Sequence, residues 1–332
     1  MNATQDIQPG ISAWLGRPEV LRAHGNQLQS NTGNRETARI VDGDACLRLR
    51  EVLDGNGKQE VAIDCPLLAP IARILEPAWH AQAITPLADL PFSQLWLCIG
   101  NFGIDGARNA GRLVAALQDF HVLKKPIALD VAGGLAGLSV PACGGPSAIS
   151  HGTGRAETRD HASWRRPPPV RKPPADGETR GGVPPLVYSA GLDAYPGSAR
   201  LDGFLQPDGR MADHGNACAD CCGRAELMIA NRYRHFLLER GGQIDTILSC
   251  SDADRAEAFM ADQRKRLWLL EQDREQPGLD DIATSILGNA AKRVSDLLKD
   301  LDEAQATRFV ARAPSPLWRG VDPRNRPLIM RP

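Results

Sequence analysis

The sequence predicts an α/β fold on parallel strands, a (β/α) barrel or degenerate barrel with a zinc-stabilised segment and a C-terminal helical cap. Three observations carry this. Short apolar runs alternate with helical periods from Glu60 to His151, as in strands joined by crossover helices. Three cysteines crowd into Cys218–Cys222. Two polar-faced helical stretches, Arg255 to Glu271 and Ile282 to Leu301, follow them.

The totals set the frame. The 332 residues suffice for one large domain or two modest ones. With 39 basic and 40 acidic residues, the whole-chain charge does not point to nucleic acid, so such binding needs a local patch. Cys46, Cys65, Cys98 and Cys143 lie singly in apolar runs, which suits reduced thiols better than a disulfide framework. Residues 1–9 lack a basic-then-apolar leader pattern, and no window reaches the length of a membrane span. The expectation is a reduced, cytoplasmic protein.

Residues 1–60 are weakly patterned. Ala45 to Leu53 suits a strand or a short helix, and Asp54-Gly-Asn-Gly57 is a turn. Val61 to Cys65 then predicts a strand, Leu67 to His80 a helix bounded or kinked by Pro70 and Pro77, and Ile84 to Leu87 a further strand. Leu95 to Ile99 is apolar throughout, as in a strand covered on both faces. Ala107 to Phe120 has helical spacing, Pro126 to Asp130 is a strand, Gly133 to Cys143 a short glycine-rich helix or turn, and Ser147 to Ser150 a strand ending at His151. An open sheet remains the alternative to a barrel.

Residues 152–185 interrupt this rhythm with prolines and arginines. Arg165, Arg166, Arg171 and Lys172, beside Trp164, suit a nucleic-acid-binding arm or a solvated loop. Leu186 to Ser189 restarts the fold as a strand ending near Asp193, and Ala225 to Arg240 is a helical run. Leu297, Leu298 and Leu301 sit at helical spacing and suit a C-terminal helical hairpin or cap, with binding of a protein partner through these helices as the alternative. The chain thus divides into a barrel-like domain over 1–250, a helical cap over 251–312 and an extended tail over 313–332.

The densest set of soft ligands is Cys218, Cys221, Cys222 and His235. A C-x2-C turn brings two thiolates to one Zn2+ ion, a third cysteine joins if the turn is tight, and an imidazole on the following helix completes a tetrahedron. Four ligands leave no position for water, so the site is structural. The alternative is cysteines acting as small apolar residues, with His235 solvated.

Parallel strands share one C-terminal rim, where function gathers. Asp130, His151 and Asp193 each close a predicted strand and fall on that rim as candidate catalytic groups. A carboxylate there acts as nucleophile or base, and an imidazole moves protons. The backbone of Gly133, Gly134, Leu135 and Ala136 can approach a base edge or an anion closely, because glycine carries no side chain.

Gly133-Gly-Leu-Ala136 resembles the GGLA base-binding loop of tRNA-guanine transglycosylases. The order that follows is similar too: Asp193 with Pro196 and Arg200, the turn Gly203 to Gly209, then the cysteines and His235. The resemblance covers Gly133 to His235. It implies a (β/α) barrel, Asp193 as nucleophile, a purine-like base against the backbone of Leu135 and Ala136, and zinc on the cysteines. The family's DSGGFQ motif is absent, the cysteine spacing differs, and His235 lies closer to the cysteines than the family's histidine. Two functions follow as expectations. One is base recognition or base exchange of the transglycosylase type; the other is a non-enzymatic, zinc-stabilised module that binds nucleic acid or a protein.

Overall fold

The computed structural model describes residues 35–100, 102, 108–130, 133–150, 185–205, 214 and 225–308. The chain divides into two compact units, Met1–Ile63 with Thr85–Phe92, and Asp64–Ile84 with Ser93–Pro332. In the first, α1 (Arg35–Gly55) is one long helix, which settles the strand-or-helix choice for Ala45 to Leu53. Arg50 pairs with Asp54 one turn on and donates to the carbonyls of Lys58 and Val61. One guanidinium thereby holds both the helix end and the turn that follows.

The second unit carries a four-stranded parallel sheet, β1 (Asp64–Pro70), β2 (Gln94–Gly100), β3 (Ile127–Asp130) and β4 (Ala148–Ile149). The spatial order is the chain order, so the mixed α/β class holds. Leu95 pairs with Ile127 and Leu97 with Leu129, all four at 1% exposure or less. All of β3 is buried, as an apolar strand between covered faces must be.

Three local expectations give way around β1. The strand begins at Asp64, not Val61, and continues through Leu67 to Pro70, where a helix was expected. Proline lacks an amide donor, but β1 has a partner on one side only among the described residues, so Pro66 and Pro70 are tolerated. The short α2 (Ile71–Ile74) follows, and α3 (Pro77–Ala88) starts on Pro77, where a missing amide costs nothing. The strand expected over Ile84 to Leu87 lies inside α3.

The helices α4 (Ala110–Phe120) and α5 (Gly134–Ala142) follow β2 and β3. Beyond them come α6 (Ser198–Leu205), α7 (Ala225–Ala230), α8 (Arg232–Ser249), α9 (Arg255–Arg274) and α10 (Asp281–Arg308). The helical run expected from Ala225 to Arg240 is broken at Asn231. The C-terminal hairpin forms as its periodicity predicted: α9 packs on α10, and α10 also packs along α4. Leu287, Ala290, Val294, Leu297 and Leu301 make the inward stripe of α10, each with no exposure.

Neither α4 nor α5 is capped by its own preceding side chain. Asp300 on α10 instead accepts the Gly111 amide at 2.6 Å, satisfying a donor that the first turn of α4 leaves open. Burial is the main force on this carboxyl and raises it above its ordinary value of 3.8, with Glu303 adding to the rise. The amides of Gly111 and Ala110 and the Arg112 charge pull the other way and are outweighed.

A raised folded value means that Asp300 contributes most below about pH 3.8, and that contribution is lost as pH rises through the folded value. Asp300→Asn keeps an oxygen for the Gly111 amide and removes the buried charge. At neutral pH it should equal or exceed the parent in urea unfolding, and the difference should vanish near pH 3.

Candidate active site around Asp193

Leu186 to Ser189 is not a further member of the parallel sheet. It pairs antiparallel with the segment just after it, through bridges Leu186–Gly197 and Ser189–Ala194. The run is apolar and extended, as expected, but the turn at 190–193 folds it back on itself before it can join a neighbour. Asp193 therefore stands in a turn and not at the end of a parallel strand. Its φ of 45° is left-handed, a conformation that aspartate tolerates better than most residues.

Four elements grip this hairpin. Arg293 of α10 donates to the Leu192 carbonyl at 2.9 Å. His235 of α8 meets the Tyr188 carbonyl at 3.0 Å, and the Ser189 hydroxyl donates to the carbonyl of His214 at 3.0 Å. The fourth contact carries the chemistry: the Leu135 amide, in the first turn of α5, donates to Asp193 Oδ2 at 2.9 Å. The other oxygen, Oδ1, faces the Tyr188 hydroxyl at 3.4 Å.

Gly134 makes the approach possible. Its φ is +64°, and a Cβ there would stand 3.1 Å from Asp193 Oδ2. A side chain there would press on the carboxylate, and the left-handed backbone itself favours glycine. Chemically, this is an oriented carboxylate seated on the backbone of a helix N-terminus, with the Leu135 amide bonded to it.

The remaining candidates fall in different places. Asp130 is buried at the end of β3, where Oδ1 accepts the Ser150 hydroxyl at 2.6 Å, just beyond β4. Gly133, Gly134, Leu135 and Ala136 form the start of α5, so the glycine-rich segment is a helix end rather than a loop. His151, Arg165, Arg166, Arg171, Lys172, Cys218, Cys221 and Cys222 lie outside the described residues. Asp193 and the glycine-rich start of α5 are thus brought into contact, and Asp130 ends the strand that leads into it.

His235 is fully buried, so the alternative of a solvated histidine fails. Burial lowers its tendency to protonate, opposed in part by the Tyr188 carbonyl. In the neutral ring Nε2–H donates to that carbonyl, which places the lone pair on Nδ1. Metal-binding histidines are commonly oriented in this way, with the second nitrogen on a carbonyl. No group of three or more His, Cys, Asp or Glu suited to a metal occurs among the described residues.

Sequence reasoning missed Tyr188, Arg240, Gln243 and Arg293. Tyr188 reads as one more apolar strand residue, and an arginine in a polar helix reads as solvated. Yet Arg240 is 1% exposed, its guanidinium lying 4.9 Å above the Tyr188 ring. No family model, curated protein or solved structure matches the chain.

Proposed function

We propose that the protein exchanges a base on a nucleic acid, with Asp193 as nucleophile, and that its parallel sheet belongs to a (β/α) barrel or degenerate barrel. The supporting observation is the bond between the Leu135 amide and Asp193, which joins two motifs 58 residues apart. A base-exchange site needs a backbone edge to hold the base and a carboxylate next to it. The barrel reading is supported by sheet order: four strands run in sequence order, whereas a doubly wound sheet reverses about a switch point.

In the first step an Asp193 oxygen attacks the anomeric carbon of the sugar. A carbon–oxygen ester bond forms, the bond to the base nitrogen breaks, and that base leaves with a proton. In the second step a ring nitrogen of the incoming base attacks the same carbon. The ester bond breaks, its electron pair returns to Asp193, and the nitrogen gives up its proton. Asp130 or His151 assists these proton movements. The backbone of Gly133 to Ala136 holds the base, while Arg165, Arg166, Arg171 and Lys172 bind phosphates.

Trapping tests the reading. Incubated with a structured RNA or a DNA duplex and no incoming base, the protein should form an adduct that survives denaturing electrophoresis and contains Asp193 by peptide mass mapping. Absence of adduct with both polymers would refute base exchange.

Zinc on Cys218, Cys221, Cys222 and His235 would be structural, fixing α8 behind the hairpin. The purified protein should carry about one zinc per chain by elemental analysis and melt lower after chelation. His235→Ala should lose the metal. A metal-free protein with unchanged melting would rule this out.

One observation favours a second reading. The Asp193 carboxylate already has a structural job, satisfying the Leu135 amide. In a non-enzymatic binding module that job is its whole role, and a nucleic acid or protein partner binds equally well when Asp193 is replaced by Asn.

A further inference from the structure

We propose that Tyr188 is a positioning residue for Asp193, and that Arg240, through Gln243, directs the Tyr188 hydroxyl hydrogen onto the carboxylate. This deepens the base-exchange reading and rests on it. Among the described residues the Tyr188 hydroxyl lies 3.4 Å from two acceptors, Asp193 Oδ1 and Gln243 Oε1. It has one hydrogen to give, so the two compete. The Arg240 guanidinium donates to Gln243 Oε1 at 2.8 Å, much the shorter bond. The guanidinium fills one lone pair of that oxygen and draws its electron density away, so the charged Asp193 carboxylate is the stronger acceptor and takes the Tyr188 hydrogen.

The same bond fixes the amide of Gln243. A flipped amide would set a donor against the guanidinium, so Oε1 must face Arg240. Gln243 Nε2 is buried and has no hydrogen-bond partner, which makes this orientation costly on its own. Something must hold it, and Arg240 does.

Tyr188 is clamped at both ends. Its ring meets Phe236 edge-on at 5.5 Å and Tyr195 at 5.2 Å, with the Arg240 guanidinium over its face. Its carbonyl meets His235. A ring held in this way can aim a hydroxyl without the entropy loss of a mobile side chain.

The consequence for the reaction is orientation at both oxygens. Leu135 holds Oδ2 and Tyr188 holds Oδ1, so the carboxylate plane is set before substrate arrives. When the ester breaks in the second step, the same hydroxyl stabilises the charge returning to Oδ1.

Two variants and two readouts test this. Tyr188→Phe removes only the hydroxyl. Gln243→Glu keeps the shape and its pairing with Arg240 but offers Tyr188 a charged competitor for its hydrogen. Both should slow adduct formation in single turnover by roughly 10-fold or more with nucleic-acid Kd unchanged. In the unliganded protein both should also move the 13C resonance of the Asp193 carboxyl carbon.

An unmoved resonance in both variants overturns the proposal whatever the activity. A moved resonance with an unchanged rate overturns the positioning role. If the parent forms no adduct at all, the base-exchange reading falls and the positioning role with it, and a moved resonance then marks the contact as structural only. Should Tyr188→Phe fail to fold, Gln243→Glu carries both readouts alone.

Discussion

Asp193→Asn should unfold within about 1 kcal/mol of the parent and, if Asp193 is the nucleophile proposed above, should form no adduct with nucleic acid. The asparagine oxygen still accepts the Leu135 amide, so the cap on α5 survives. An amide oxygen does not form the ester, and loss of a nucleophile costs on the order of 10⁴-fold or more in turnover. Asp193→Ala separates the two roles: it also loses the cap, at about 1 kcal/mol in urea unfolding. Gly134→Ala supplies an independent check. Its φ of +64° costs an alanine about 1 kcal/mol, and the new Cβ presses on Asp193 Oδ2. It should reduce the rate while leaving the nucleophile present. An active Asp193→Asn protein would end the catalytic account of this residue.

Gly111→Ala should be strongly destabilising, since an added Cβ meets closer contacts there than at any other described glycine. The new Cβ would stand 2.5 Å from Ala304 Cβ and 2.6 Å from the Asp300 carbonyl oxygen, both on α10. Side chains yield to such contacts, but a helix carbonyl does not. The helix must retreat, lengthening the Gly111–Asp300 bond as it goes. Overpacking of this kind costs about 3 kcal/mol, and the Tm should fall by roughly 5–10 °C by calorimetry. Adding Ala304→Gly removes the contact with Cβ but not the one with the carbonyl, so the double variant should recover only part of the loss. Full recovery would mean that the backbone approach is not the constraint.

What was legible in the sequence was set by local period. Leu95 to Ile99, Pro126 to Asp130 and the helical stripe of α10 follow from apolar spacing, and each formed where its spacing placed it. The region from Val61 to Leu87 is ambiguous by local rules, because proline marks a helix boundary but is accommodated equally by an edge strand. Leu186 to Ser189 is ambiguous in another way. Apolar spacing marks an extended segment but not its partner, and the turn at Asp193 chose an antiparallel one. Within the site, Asp193 and Gly134 were visible as residue types. Their contact was not, since nothing local in either segment encodes a bond across 58 residues. The Tyr188–Gln243–Arg240 set was hidden for the same reason.

The missing local caps have a consequence during synthesis. The chain emerges from the ribosome with β2, α4, β3 and α5 already present, but the first turns of both helices then lack their acceptors. Gly111 must wait for Asp300, 189 residues later. At about 5–20 residues per second, that is on the order of 10–40 s in which these helix starts are exposed to solvent. The nascent sheet can gather apolar residues during this interval, but its helix ends stay on water until their acceptors arrive. A release experiment with chains stalled before and after residue 300 should show protease resistance of the sheet region rising only once α10 has cleared the exit tunnel.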